Sequence, residues 1–198
     1  LQDSVNLIST ADTLLLPNFV DRIGNLSENR SIYEKDDAFG YINEKGEVCI
    51  PADYATYSNY FQFSQFQNGH AKVMSQGKFG MIDSVGERIL PAIFTNIGAF
   101  GELIPVTKGK GWGFSDAEAK LQIQYKYDYA YPFEESISIV NEGGLLGVIN
   151  LKGEEVLATV YPDIQLLGDT LLRISEDGIN FGLFNTQGKQ LTPLDYSR

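Results

Sequence analysis

Cysteine, histidine and positive charge are all scarce in this sequence of 198 residues, and each shortage excludes something. A single cysteine, Cys49, has no partner for an internal disulfide, and with one histidine, His70, it cannot assemble a zinc site. Long apolar runs are missing too: no stretch of about 18 apolar residues occurs, so no segment reads as a membrane-spanning helix. Lys and Arg number 15 against 26 Asp and Glu, a formal charge of −11 at pH 7. That balance repels nucleic-acid phosphates and anionic lipid, and it favours basic or neutral partners. The sequence opens at Leu1 rather than at a methionine, and the expectation is that a preceding segment, such as a signal segment, is missing.

Glycine and aromatic residues are plentiful, and their placement is periodic. Phe39-Gly-Tyr-Ile-Asn-Glu-Lys-Gly46-Glu-Val-Cys-Ile-Pro51 lies without gaps on Phe79-Gly-Met-Ile-Asp-Ser-Val-Gly86-Glu-Arg-Ile-Leu-Pro91. Further copies begin at Trp112, Leu146 and Phe181, and the glycine that follows recurs at 40, 80, 113, 147 and 182. A repeat of roughly 35 residues is a supersecondary unit that buries its apolar face only by stacking on its neighbours. The chain therefore reads as a single repeat domain over 1–198, with units beginning near 39, 79, 112, 146 and 181 and a partial unit over 14–38.

Each unit has hairpin chemistry. Asn43 opens a turn that Gly46 closes three residues later, as a type I turn ending at positive φ requires, because Asn bonds back to the turn and Gly adopts αL without strain. Asp83 with Gly86, Asn150 with Gly153, and Asn185 with Gly188 repeat it. Asp116 and Ala119 occupy these places in the third unit, which predicts a looser turn there. Short β-type runs flank the turns, and another such as Ala71–Met74 precedes each pair. The predicted fold is all-β: about five three-stranded antiparallel meanders, arranged as an open curved array or a propeller-like ring. Linkers of about 15 residues, carrying Tyr54, Phe94, Tyr127 and Tyr161, join them, some with a helical turn. Cys49 aligns with Ile89 and Val156 and reads as a small buried hydrophobe.

These residues resemble the WG-repeat family, also called KWG repeats, of mainly bacterial proteins. The resemblance is carried by Gly77-Lys-Phe79-Gly80-Met-Ile-Asp83 with Gly86 and Pro91, and by Gly109-Lys-Gly-Trp112-Gly113-Phe114, and it extends from about Leu14 to Tyr196. It implies an all-β repeat protein, exported or attached to the cell envelope, with no general catalytic assignment; no catalytic residue transfers.

Two groups of rings are candidate binding residues. Tyr125, Tyr127, Tyr129, Tyr131 and Phe133 alternate and fall on one face if the segment is extended, suiting a sugar or a peptide. Tyr127 and Phe133 also align with core positions, so core packing is the competing reading. Tyr57 and Tyr60 belong to a second cluster, in the insertion that lengthens the first spacing to 40 residues. The pairs Glu134-Glu135, Glu154-Glu155 and Asp36-Asp37 read as solvated charge, since adjacent acids on a strand face opposite ways. Neither a catalytic group, a metal site nor a cofactor is expected. The function expected is a non-catalytic binding or scaffolding module for a protein or glycan partner. The alternatives are a carbohydrate-active enzyme on a propeller-like fold and a structural spacer in a larger envelope protein.

Overall fold

The computed structural model describes residues 20–197 and the backbone of one antiparallel strand pair before them, Leu7–Ile8 (β1) with Thr13–Leu14 (β2). Residues 15–17 of the degenerate N-terminal unit lie outside the described residues. The chain forms two compact units, divided between Phe94 and Thr95.

In the first unit, Arg22–Ser27 (β3), Arg30–Lys35 (β4), Ala38–Asn43 (β5) and Val48–Ala55 (β6) form a four-stranded antiparallel meander. A single helical turn, Tyr60–Phe63 (α1), follows. His70–Ser75 (β7), Lys78–Asp83 (β8) and Arg88–Phe94 (β9) form a three-stranded sheet. The second unit holds three four-stranded meanders. Asn96–Ile97 (β10), Ile104–Thr107 (β11), Trp112–Ser115 (β12) and Leu121–Tyr127 (β13) make one of them. Tyr129–Ala130 (β14), Ile137–Glu142 (β15), Leu145–Asn150 (β16) and Glu155–Tyr161 (β17) make the next. Asp163–Leu167 (β18), Leu171–Ser175 (β19), Asn180–Asn185 (β20) and Tyr196–Ser197 (β21) make the last.

The all-β repeat is as expected, but four of the five sheets carry a fourth strand, at their leading edge. In the second unit the segments read as linkers supply it. The linker aromatic residues Tyr54, Phe94, Tyr127 and Tyr161 themselves belong to the last strands of the sheets, β6, β9, β13 and β17, directly opposite Phe39, Phe79, Trp112 and Leu146.

The glycine after each of those residues has a common cause. Between the pairs Phe79↔Phe94 and Met81↔Leu90 β8 advances two residues while β9 advances four. The longer path arches over Gly80, where a Cβ would lie 2.6 Å from the Leu90 carbonyl oxygen. Pro91 stands in this arch and Pro51 in its counterpart, where the bulge demands no ladder N–H.

The turn between the last two strands is the same in all five repeats. The Asn43 N–H donates to the Glu47 carbonyl at 2.9 Å and the Gly46 N–H to the Asn43 carbonyl at 3.0 Å, and Asp83, Asn150 and Asn185 repeat both bonds. The looser turn expected in the third unit is corrected. Asp116 N–H donates to Lys120 and Ala119 N–H to Asp116, each at 3.1 Å, with Ala119 held at φ 62°. Sheet pairing outweighs the local preference of alanine. Within each compact unit these turns press on the preceding sheet: a Cβ on Gly86 would meet Ile50, and one on Gly153 would meet Ile123, each at 3.3 Å. Cys49 is exposed rather than buried, because it alternates on β6 with the core residue Ile50.

Candidate binding surface

Trp112 begins β12, opposite Tyr127 at the end of β13. At Asp128 the chain leaves that sheet for the next. The Asp128 N–H donates to the Asn141 carbonyl at 2.8 Å, and its carboxylate accepts the Gly143 N–H at 2.7 Å. This anchored bend separates the tyrosine row. Tyr127 and Phe133 are buried in the core with Phe114 and Val140, Tyr125 is half-buried, and Tyr129 and Tyr131 stand outside at 46% and 47% exposure. The row thus does not present five rings on one face.

The exposed rings gather around Trp112 instead. Its ring lies 5.3 Å from that of Tyr129 with the planes 57° apart, and Tyr129 lies 4.9 Å from Tyr131 at 74°. The Tyr131 backbone is held at both ends: its N–H donates to the Ile139 carbonyl at 3.0 Å, and its carbonyl accepts the Ser138 hydroxyl at 2.7 Å. Pro132 follows and brings no N–H. Beyond it, Glu134 and Ile137 exchange backbone bonds across a tight turn.

Tyr131 also forms one wall of a groove of about 290 Å³ between the fourth and fifth sheets, lined further by Pro132, Glu134, Ile139, Ile164 and Leu166. That is the lower end of small-ligand sites, and it suits apolar side chains of a larger partner. Glu134 is exposed. Lys126, on β13, is engaged by Glu142 at 3.5 Å.

The second aromatic cluster serves the fold. Tyr60, 5% exposed, stacks on Phe39 at 5.0 Å, and its hydroxyl donates to Glu34. Phe66 is buried against Tyr41, and half-buried Tyr57 shares a hydrogen bond with the Ser64 hydroxyl at 2.8 Å. Burial raises the Tyr57 phenol above its usual range. The segment around α1 stands where other repeats place their leading strand, and its rings fill the core there, so Tyr60 is a core residue and not a surface ring. Phe63, at 53% exposure, is the exception. The turn residues Asn43, Gly46, Asp83, Gly86, Asn150, Gly153, Asn185 and Gly188 occupy the turns described above.

The sequence marks Trp112 only as the start of a repeat unit and Glu134 as solvated charge, and it gives no sign of Ile139, Ile164 and Leu166. The spacing of Trp112 from Tyr127 was the available signal for the first; the groove residues carry none, since they meet only through sheet stacking. Among the described residues no group of three or more His, Cys, Asp or Glu is placed to hold a metal ion, and no helix is long and apolar enough to cross a membrane.

Known structures resemble this chain in fold alone. Hsv2 of Kluyvelomyces marxianus is 11% identical with a TM-score of 0.51, over 91% of this chain and 63% of that one. A crystal structure of the eukaryotic initiation factor is 10% identical with a TM-score of 0.53, over 87% and 54%. The WD40 β-propeller domain of Doa1 is 10% identical with a TM-score of 0.40, over 93% and 71%. The chain therefore spans less than two thirds of the length of the first two. No curated protein matches it in sequence. The family model of the WG containing repeat matches residues 39–79 in the first compact unit and 112–145 in the second.

Proposed function

We propose that this chain is a non-catalytic protein-interaction module whose contact surface is the ring group Trp112, Tyr129 and Tyr131 with the groove beside it. The carrying observation is that these rings stand together at the surface, two of them nearly half exposed, and run into an apolar groove. Tyr and Trp supply large contact area at low entropic cost, and they are over-represented among residues that dominate binding energy. An exposed apolar patch rimmed by polar groups is a mark of an interaction site. The repeat-built all-β fold supports a scaffolding role. An exported or envelope setting belongs to the same proposal and is supported by the family resemblance.

Immobilised wild type and a Tyr129→Ser/Tyr131→Ser variant, checked for folding by circular dichroism, test this against native extract of the producing cells, with and without protease digestion. The expected result is a protein captured by the wild type, missed by the variant and lost on digestion. Equal capture by both baits overturns the ring surface as the contact. Capture that survives digestion overturns the protein partner in favour of a glycan.

A further inference from the structure

Asn68–Gly69 is the only Asn-Gly step in the sequence. It forms the two-residue turn that leads into β7: both residues have positive φ, 52° and 77°, and Gln67 and His70 exchange backbone bonds across it at 2.9 and 3.1 Å. The covalent chemistry of such a step is specific. Glycine has no Cβ to shield its nitrogen, so the Gly69 nitrogen can attack the side-chain carbonyl carbon of Asn68. That nitrogen gives up its proton and bonds to Cγ, the carboxamide nitrogen leaves as ammonia, and a cyclic imide results. Water then opens the imide at either carbonyl and leaves an aspartyl or an isoaspartyl residue. The turn lies open to water: Asn68 is exposed, and a Cβ on Gly69 would meet no atom within 4 Å.

What opposes the reaction comes from the preceding sheet. The Glu28 carboxylate, in the turn between β3 and β4, accepts the Asn68 N–H at 2.6 Å and the Gly69 N–H at 2.8 Å. The attacking nitrogen is thus tied through the proton it has to lose, beside a negative charge that disfavours its deprotonation. Other contacts hold this clamp in place. Glu28 and Asn29 stand at φ 49° and 60°, where non-glycine residues are strained, and such strain persists only where the surroundings impose it. The Ser27 hydroxyl donates to the Phe66 carbonyl at 2.8 Å, and the Arg30 guanidinium lies over the Phe66 ring at 5.4 Å. In the second compact unit a turn acid again accepts from the following turn, the Ser136 hydroxyl donating to Glu102 at 3.4 Å.

Conversion removes what the clamp needs. Either product sets a new carboxylate beside Glu28, and like charges at that range repel. The isoaspartyl link also adds a methylene to the backbone between the two N–H groups, which then no longer converge on one carboxylate.

We propose that Asn68–Gly69 is a modification site, a deamidation step kept latent by the Glu28 clamp, and that its conversion irreversibly releases the tie between the first and second sheets.

The purified full chain is held at alkaline pH, folded and in urea. The peptide containing Asn68 is followed by mass spectrometry for the change of amide to acid, with an isoaspartyl methyltransferase marking the isoaspartyl product. Folded wild type is expected to convert about tenfold more slowly than the chain in urea, and Glu28→Gln about tenfold faster than folded wild type. Ser27→Ala, which leaves the carboxylate in place, converts at close to the wild-type rate, and Asn68→Gln shows no conversion at this site. Hydrogen exchange of the Gly69 amide reads the release: Asn68→Asp raises it about tenfold, with the amides of β5 unchanged.

Equal rates for folded wild type and Glu28→Gln overturn the latent site, as does a slower rate for Glu28→Gln, which would make the carboxylate a base rather than a clamp. Conversion of another asparagine ahead of Asn68 overturns the choice of site. Unchanged Gly69 exchange in Asn68→Asp overturns the release.

Discussion

At the turn between the last two strands of each repeat one residue is held in the left-handed region, and in four repeats of five it is glycine. Ala119 is the exception, and it makes the same backbone bond there at φ 62°. An L-residue in αL costs about 1–2 kcal/mol, while a glycine costs about 0.4–1 kcal/mol through the freedom it restores to the unfolded chain. The first effect is the larger, so Ala119→Gly is expected to stabilise by about 0.5 kcal/mol in a denaturant titration. Gly86→Val works in the opposite direction. It adds αL strain and presses on Ile50, and the expected loss is about 1 kcal/mol or more, with Ser84→Ala nearly silent. Asp177 is a different kind of residue. The backbone N–H groups of Asn180 and Ile179 donate to its carboxylate at 2.7 and 2.8 Å, and they pull its pKa from 3.8 down to about 2. Because the folded value is the lower one, this stabilisation is fully present above 3.8 and is lost as pH falls through about 2. Asp177→Asn is therefore expected to melt below the wild type at pH 6, with the gap closing as the scan is repeated toward pH 2.

At the scale of the element, the arch over the glycine of the penultimate strand is the distinctive construction. These glycines are not needed for positive φ; they are needed because backbone passes where a side chain would begin. Gly80→Ala sets a Cβ 2.6 Å from a carbonyl oxygen, and overpacking of that kind costs about 1–3 kcal/mol. Gly77→Ala, in an open turn at φ 72° with no atom within 4 Å, is expected to lose only the αL increment of about 1 kcal/mol. Urea midpoints of the two variants check the order, and a smaller effect at Gly80 would remove the arch as the reason for the repeat's glycine. The hairpins themselves were legible, because turn chemistry and flanking β-type runs act over a few residues. The leading strands β10 and β14 were not, since two residues each carry no alternation. The tyrosine row failed for the same reason. Alternation runs unbroken from Tyr125 to Phe133, but the bend at Asp128 moves the chain to another sheet, and parity no longer predicts the face.

For the whole molecule, charge dictates what stays away. At −11 the chain is expected to leave a labelled DNA duplex unbound at about 0.1 M salt, with no rise in fluorescence anisotropy; measurable binding would require a local basic surface strong enough to override the net repulsion. Periodicity, net charge, turn type and the repeat unit follow from the sequence by itself, because each depends on residues close along the chain or on a simple sum. Which glycine is crowded, which tyrosine is buried, and that Trp112, Tyr129 and Tyr131 meet beside a groove walled by Ile164 and Leu166 were decided only by tertiary structure. Those relations join separate strands and sheets, whose side chains become neighbours through pairing register and stacking, and no local preference encodes that distance.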